Sequence, residues 1–534
     1  MPPARRLLTG RRAFRNLPAH MKRYWLPGLG VLALTLGTLR AAESQPPPTR
    51  SLSLQDCLQI ALQHNLNVQI TRYNPMLALY TLRGDYGAYD PSLTASGQHN
   101  RSVSGTQLVA GGFTVPGATV DANSLSSGLR GALPSGLTYS LAASTTDSYG
   151  RSFIGIDPKT GQPIANPFEN SVASVAITAT QPLLKNFWID TPRLNIRLAK
   201  LQLKSTELAL KLQIMQTAAS VEQAYYDLVY TRENLTVQAK ALELAQALVA
   251  ENRRRVEVGA MAPLDEQQAE AQAETARAGL IAATNTYFLQ ENVLKGLLSD
   301  HFSEWQPIAL LPTGTLEAPR QFLDLQESWY RGLSQRPDFL QAKLTVQQAG
   351  LQLKFAKNQL FPELDIFGTY GFNGYGIPPA SEEFANALYN LQTLNSPQAT
   401  YGGRITIPLS NIAARNAYKS SKASQAQALL QLKQMEQNVM IAIDNDIKQI
   451  RANYQQVQAT RAAREYNEAA LAAEQKKLEN GKSTTFIVLT MQNTLTISRG
   501  SEIQALDTYN KSLSQLSLDE ASTLERLGID LEVK

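Results

Sequence analysis

The sequence predicts an α+β membrane protein built from two internal structural repeats, in which strands lead directly into helices of unusual length. Three observations support this fold class. Short blocks recur in the same order in both halves of the chain, several segments alternate apolar and polar residues, and two segments of about 67 residues contain nothing that breaks a helix. At a rise of 1.5 Å per residue, each such helix spans about 100 Å.

The internal repeat is the strongest signal of organisation. Matching blocks occur at 54–56 and 325–327, at 91–97 and 362–368, at 180–183 and 406–409, and at 258–259 and 480–481. Each match is short, but all of them keep the same order, as expected of a duplicated structural unit. The first half carries about 45 additional residues between Gly97 and Pro182.

The repeat predicts the same succession of elements twice. The first repeat, 43–312, is predicted to contain helices at 53–88, 192–258 and 263–298, with strands at 91–103, 123–148 and 171–182. The second repeat, 313–534, is predicted to contain helices at 319–360, 412–480 and 484–527, with strands at 362–374 and 400–410.

The predicted strands have one apolar and one polar face. In residues 173–180 the odd positions are apolar and the even positions are mostly polar. Leu137, Tyr139 and Leu141 alternate with polar residues inside the additional segment, which predicts an inserted hairpin that turns near 134–136. A period of two is typical of any half-buried sheet and also of a barrel wall that faces lipid.

The long helices require partner helices. Pro192 suits the first turn of the first one. Apolar residues from Leu208 to Val229, and again from Ile447 to Val457, recur at alternating spacings of four and three. The returning helices are too short to cover a partner of about 100 Å, so we expect each long helix to pack against two shorter helices placed end to end.

Residues 1–42 are predicted to be an N-terminal extension and a secretory signal peptide. They carry eight Arg and Lys residues and no Asp or Glu, so the remainder is mildly acidic and the basic balance of the whole chain does not indicate nucleic-acid binding. Met21 begins a basic start, a short apolar stretch and the small residues Ala41 and Ala42. A retained membrane anchor is the alternative, and the choice of Met1 or Met21 as the start stays open.

The sequence contains no catalytic, cofactor-binding or metal-binding constellation. The four histidines lack metal-ligand spacing, and the single cysteine, Cys57, is predicted to pack in a helix bundle. Gly481, Lys482 and Ser483 imitate the end of a phosphate-binding loop, but Lys476 stands where its first glycine belongs. We therefore expect no enzyme activity, no cofactor, no metal and no nucleic-acid partner.

The number of strands predicts an assembly of several chains. Neither four strands per chain, nor six with the inserted hairpin, can close a membrane barrel, which needs at least eight. Unpaired strand edges are not tolerated in lipid. Several copies must therefore share one barrel, although the residues do not say how many.

Four segments form a distinctive set: 176–184 with its QPLL ending, FPELDI at 361–366, and the helix reversals at 253–272 and 476–495. In this order they resemble the TolC-like outer-membrane efflux protein family, over about residues 51–527. The resemblance implies a homotrimer with a β-barrel in outer-membrane lipid, continuous with a long α-helical coiled-coil barrel across the periplasm. It also implies a passive exit duct of a tripartite efflux or type I secretion system, with a periplasmic adaptor protein and an inner-membrane pump as partners.

Under this resemblance the two helix reversals form a closable periplasmic aperture that contacts the adaptor. The candidate residues are Gly259, Asp265, Gly481, Lys482, Ser483, Ile487 and Thr490. Asp265 either pairs with Lys482 or an arginine at 253–255, or stays solvated. Many family members carry acids at the positions of Ile487 and Thr490, so we expect weaker cation selectivity and weaker block by multivalent cations here.

Two aromatic residues, Phe187 and Trp188, follow the last predicted strand of the first repeat. They are candidates for the aromatic rim of the barrel on its periplasmic side. Plain packing of the turn between strand and helix is the alternative.

The alternative function is a coiled-coil scaffold of the cell envelope without a pore. Such a scaffold explains the long helices, but neither the alternating strands nor the signal peptide. An exported enzyme is a third interpretation, for which no constellation of residues speaks. The exported substrate, the class of pump, the place of the inserted hairpin and the open or closed resting state stay open.

Overall fold

The computed structural model describes residues 48–109, 112–376 and 383–529, so the predicted extension and signal peptide, 1–42, lie outside the described residues. The helices in these ranges are α1 (Leu54–His64), α2 (Leu66–Asp85), α3 (Thr191–Glu257), α4 (Pro263–Leu298), α5 (Phe302–Trp305), α6 (Leu325–Gln335), α7 (Pro337–Asn358), α8 (Glu383–Gln392), α9 (Ile412–Glu479), α10 (Thr485–Asp519) and α11 (Thr523–Arg526). None of these helices combines the length and the apolar character needed to cross a membrane.

Strands form one large sheet and two small ones. The strands in the described ranges are β1 (Thr49–Leu52), β2 (Ser92–Val103), β3 (Gln107–Val109), β4 (Phe113–Val115), β5 (Thr119–Ala132), β6 (Thr138–Ile156), β7 (Pro163–Pro182), β8 (Ala309–Pro312), β9 (Glu363–Tyr375) and β10 (Pro397–Thr406). Six of them form an antiparallel sheet in the order β10-β9-β7-β6-β5-β2. β1 pairs in parallel with β8, and β3 pairs with β4.

The inserted hairpin, β5 and β6, lies inside the large sheet between β2 and β7. The predicted span 123–148 is too short, because β6 continues to Ile156 through its pairing with β7. For the same reason β7 begins at Pro163, well before the predicted start of 171. Backbone pairing extends these strands beyond the point where their side chains stop alternating.

Local capping explains where the long helix α3 begins. Asp190 accepts a hydrogen bond from the N–H of Arg193 at 2.9 Å, and Pro192 occupies the first turn of α3. The turn before α3 contains Asn186 at φ 65°, and the turn before α9 contains Asn411 at φ 44°. Asparagine tolerates this left-handed conformation better than most residues. The two repeats thus pass from strand to helix in a similar way.

Two predicted helices are each broken in the structure. The prediction 53–88 breaks at Asn65, whose side chain caps α2. The prediction 319–360 begins too early, since Asp324 caps α6 at its start. It also breaks at Arg336, because the following proline lacks an N–H and starts a new helix.

The ends of the second repeat also differ from the prediction. The predicted helix 484–527 ends at Asp519, and Ala521 at φ 62° separates α10 from α11. The predicted strand 400–410 ends at Thr406, before Pro408. α8, which the sequence does not predict, lies between β9 and β10 and packs on the large sheet.

Four helices lie side by side at each level of the helical part. Next to the sheet the order is α2, α3, α7 and α9, and farther away it is α4, α3, α10 and α9. Two shorter helices therefore follow one another along each long helix. This arrangement places α2 and α4 at one edge of the helical layer and α9 at the other.

The core lies midway along the helices, where the repeats are tied together. The hydroxyl of Tyr225 donates to the carbonyl of Leu52 at 3.3 Å and accepts from the N–H of Gly314 at 2.9 Å. Glu222 is fully buried and accepts a hydrogen bond from the hydroxyl of Ser514 at 2.7 Å. Long-range contacts of this kind fix the position of α10 against α3.

Candidate functional site

The two long helices end in the same kind of turn. After α3, the N–H of Ala260 donates to the carbonyl of Arg255 at 2.8 Å. After α9, the N–H of Lys482 donates to the carbonyl of Lys477, also at 2.8 Å. In each turn the preceding glycine donates a second bond, at 2.9 and 3.0 Å. This pair of bonds is the Schellman motif, which satisfies the last carbonyls of a helix.

Gly259 and Gly481 are required at these turns by their backbone conformation. Their φ angles are 73° and 66°. No atom lies within 4 Å of the place where a Cβ would stand, so crowding is not the reason for glycine. The left-handed conformation itself costs other L-residues roughly 1–2 kcal/mol.

One buried polar side chain braces each turn from inside. Asn252, which is 1% exposed, donates to the carbonyl of Asp265 at 3.2 Å. Glu474, at the matching position of the second repeat, accepts from Lys477 at 2.8 Å and from the hydroxyl of Ser483 at 2.5 Å. The hydrogen bond from Lys477, and to a smaller extent that from Ser483, holds the pKa of Glu474 below its ordinary value. Sequence reasoning missed both braces, and the only signal is that they share the spacing of the two glycines.

The two turns lie next to each other. The hydroxyl of Thr485, in the first turn of α10, lies 3.9 Å from the sulfur of Met261, in the turn between α3 and α4. Lys482 and Ser483 belong to the second turn, and Asp265 begins α4 beside the first. The structure therefore brings the candidate residues of both repeats to one end of the helical part, where Met261 and Thr485 are in contact.

Asp265 lies in the first turn of α4, where the helix dipole favours a carboxylate. Among the described residues it takes part in no ion pair. Arg253 pairs instead with Glu257 at 3.5 Å, and Arg255 pairs with Glu251 at 2.9 Å. Of the alternatives for Asp265, the geometry favours a solvated carboxylate.

The surface of α10 near the turn is free of acidic residues. Ile487 and Thr490 are both exposed there. Residues 485–501 contain no Asp or Glu, and the first carboxylate of α10 belongs to Glu502, which pairs with Arg461 at 3.2 Å. From Thr485 to Ser498 the helix therefore carries no charged side chain, and its first charge is Arg499, which pairs with Glu468.

The large sheet has two chemically different faces. On its apolar face, one row of paired residues crosses all six strands: Leu93, Leu129, Leu141, Ile177, Tyr370 and Ala399. On its polar face, a row crosses five strands: Ser96, Ser126, Ser144, Ser174 and Asn373. Hydrogen bonds run along the polar face, for example Ser96 to Ser126 at 2.7 Å and Ser144 to Ser174 at 2.8 Å.

The apolar face has a limited height. On β7 it becomes polar at Ser171 and again at Gln181, ten residues apart. The row at Ser171 continues through Asp147, Asn123 and His99, all of them polar. A strand that crosses a membrane needs about 9–11 residues. The apolar face has about this height, and α8 covers its far end at Ala173, which is 1% exposed, and at Gly374.

Phe187 and Trp188 lie where the chain passes from β7 to α3. Their rings meet edge to face, with centroids 5.0 Å apart and an interplanar angle of 73°. Trp188 is 76% exposed, so most of the ring is free to meet lipid or another chain.

An apolar stripe on α2 is exposed in the single chain. Its residues are Leu66, Ile70, Tyr73, Leu77 and Tyr80, between 51% and 64% exposed. Their alternating spacing of four and three is that of a coiled-coil seam. α4, on the same edge of the helical layer, exposes Ile281, Phe288, Leu289 and Val293. This edge therefore has the chemistry of a helix interface.

In the part of the chain that the structure describes, no group of three or more His, Cys, Asp or Glu residues is placed to hold a metal ion. Cys57 is fully buried, and this burial raises the pKa of its thiol to about 12. Such a thiol packs as a small apolar group.

Comparison with protein families decides the identity. The family described as Outer membrane efflux protein matches residues 57–299 and 330–518, one segment in each repeat and together most of the chain. The chain belongs to the outer membrane efflux protein family. This TolC-like family consists of channels rather than enzymes, which places the protein in the cell outer membrane, extending into the periplasm.

Individual relatives of this outer membrane efflux protein agree with the family. The curated relative "Outer membrane efflux protein BepC" of Brucella suis biovar 1 is 24% identical over 373 residues, which cover 68% of this chain and 75% of BepC. The CmeC outer membrane channel of Campylobacter jejuni superposes with a TM-score of 0.62 at 15% identity, over 93% of this chain and 94% of CmeC. The MtrE outer membrane channel of Neisseria gonorrhoeae, in its open state, gives 0.61 at 16% identity, over 88% and 89%. These solved structures support the fold.

Proposed function

We propose that this outer membrane efflux protein is the exit duct of a tripartite efflux or type I secretion system. It acts as a passive homotrimeric channel that docks on a periplasmic adaptor protein and an inner-membrane pump. The observation that carries the proposal is the continuity, in one chain, of a two-faced sheet with helices of 67 and 68 residues. The sheet suits a wall between lipid and water, and the helices are long enough, at about 100 Å, for a tunnel through the periplasm.

The sheet takes its orientation from its two faces. The apolar face, with Leu141 and Ile177, contacts outer-membrane lipid, and the polar face, with Ser144 and Ser174, lines a water-filled lumen. Trp188 and its neighbour Phe187 then stand at the periplasmic rim, where aromatic residues favour the interface between lipid and water.

A homotrimer agrees with the edges of the helical layer. α2 and α4 expose apolar stripes at one edge, while α9 exposes Leu430, Ile441 and Tyr466 at the other. When the two edges of a chain differ and match each other, copies associate head to tail and close into a ring. The number three comes from the family resemblance.

The paired helix turns serve as the periplasmic aperture and the contact for the adaptor. Gly259 and Gly481 set the reversals, while Lys482, Ile487 and Thr490 present exposed side chains at the same end. The turns are tied by Asn252 and Glu474 from inside each repeat, so opening moves the helical ends as units. Asp265 and Ser483 complete this surface.

Cell fractionation followed by conductance tests the proposed function. We expect the protein in the outer-membrane fraction, as a detergent-extracted species of three chains, and we expect it to conduct ions across a planar lipid bilayer. A trimer without conductance would support the envelope scaffold instead. A soluble monomer would contradict both functions.

A further inference from the structure

Among the described residues, the large sheet of a single chain has β2 and β10 as its edge strands, each paired on one side only. Both reach the end of the sheet next to the helices, β2 at Ser92 and β10 at Thr406. β2 leads away from the helices and β10 returns to them, so the two edge strands run in opposite directions. A copy placed beside the first would continue the antiparallel order without a break.

The apolar face also continues to both edges. Leu93 on β2 is 74% exposed, and Tyr401 and Ile405 on β10 are 88% and 60% exposed. Free edges with apolar flanks are unstable in lipid, because each unpaired backbone group lacks the water that would otherwise bind it.

The strand register gives the tilt of such a wall. From Ser92, the pairs pass through Arg130, Ser140, Thr178 and Thr369 and reach Thr400. Thr400 lies six residues before the end of β10 at Thr406. If the next copy places its Ser92 level with Thr406, the strands climb roughly 20 Å over six strand spacings of about 29 Å. The tilt is then about 35°, within the range of membrane barrels of about 35–45°.

The same register pairs polar-face residues of one copy with polar-face residues of the next. Opposite Ser92 stands Thr406, opposite Ser96 stands Gly402, and opposite Gln98 stands Thr400. The β2 residues and their β10 partners in these pairs all belong to the polar face. No residue has to change face at the junction, which is a condition that a shift of one residue would violate.

The width of the sheet agrees with that of the helical layer. Six strands at this tilt occupy about 35 Å of circumference per chain. The four adjacent helices at spacings of about 9 Å occupy about 36 Å. The sheet reaches this width only with the inserted hairpin, which contributes two of its six strands.

We propose that β10 of each copy pairs with β2 of the next, so that three copies close a barrel of 18 strands, about 34 Å across between backbones, in which the inserted hairpin is part of the wall. This inference rests on the proposed trimeric channel. Barrels of 16–18 strands leave an aqueous pore, so the hairpin widens the lumen and does not cover it.

Cysteine pairs across the junction test the register. In a Cys57→Ala background, Gln98→Cys with Thr400→Cys should give covalent dimers and trimers after oxidation or treatment with a short bis-thiol reagent. Gln98→Cys with Ala399→Cys is the matched control, because Ala399 points to the other face, and it should not cross-link. Equal cross-linking of both pairs, or none of either in a protein that is still trimeric, would overturn the proposed junction.

Adjacent positions of the hairpin test whether it belongs to the wall. Ser140→Cys should react with a water-soluble maleimide, whereas Leu141→Cys should react only with a lipid-soluble one. If both react with the water-soluble reagent in an outer-membrane trimer, the hairpin lies outside the barrel and this inference is wrong while the channel function stands. If no trimer is found in the outer membrane, the proposed function itself fails.

Discussion

Gly481 and Gly259 are single residues on which the shape of the helical end depends. We predict that Gly481→Ala weakens the turn by roughly 1–2 kcal/mol, because alanine resists the left-handed conformation. Hydrogen exchange at the amide of Lys482, which bonds to Lys477, should accelerate about tenfold or more. Gly296→Ala, inside α4 and without crowding, is the control and should leave this exchange unchanged. Unaltered exchange in Gly481→Ala would contradict the role of the turn.

Thr490, a residue of the proposed aperture, is exposed on a helix surface without acidic residues. We predict that Thr490→Asp adds a ring of carboxylates and makes the channel sensitive to trivalent cations in planar bilayers, by about tenfold or more in blocking concentration. Thr490→Asn has nearly the same shape without the charge and should behave like the unmodified protein. Strong block of the unmodified protein would show that acidic groups elsewhere line the constriction.

Asp446 is a half-buried carboxyl on α9, one oxygen of which is fully buried, and its charge opposes folding. Burial, and then the neighbouring carboxylate of Asp519, raise the pKa of Asp446. The folded protein therefore holds a proton that the unfolded chain has lost, and this group makes stability fall as pH rises over about pH 5–8.

Asp446→Asn removes this charge and should raise the Tm of the detergent-extracted protein at pH 8 by about 2 °C or more, with a smaller gain at pH 5. Asp444→Asn is the control, because Asp444 pairs with Lys448 near the surface at 2.6 Å. A lower Tm for Asp446→Asn at pH 8 would show that the ionised form is the stable one.

Among the elements, the long helices and the glycine turns could be predicted from the sequence, because each depends on local residues and on the internal repeat. The break at Asn65 was missed, since a polar residue inside an apolar pattern caps a helix only when its side chain turns back to the next amides. The parallel pair of β1 and β8 was also missed. Its strands have four residues each and lie far apart in the chain, so no periodicity marks them.

The candidate site was predictable to a similar degree. The repeat located both glycines, but the contact of Met261 with Thr485 and the braces at Asn252 and Glu474 depend on how the turns sit against each other. The predicted ends of β6 and β7 were wrong, because their backbones remain paired beyond the residues in which apolar and polar side chains alternate.

For the whole molecule, the apolar stripe of α2 predicts how copies associate. Ile70→Asp with Leu77→Asp places two charges in the seam and should abolish the trimer, because full burial of each apolar side chain contributes about 1.5–3 kcal/mol and a buried charge costs more. The helical content of the single chain should remain. Asn74→Asp, beside the stripe, is the control and should leave the trimer intact. A stable trimer of the double variant, judged by size in detergent, would place the interface elsewhere.

The placement of the inserted hairpin has a consequence for how such proteins diverge. A hairpin added between β2 and β7 starts and finishes at the same level, so the segments before and after it keep their positions. In the barrel proposed above, pore size can therefore change in steps of two strands per chain without any adjustment in the helical ends that are proposed to contact the partner proteins.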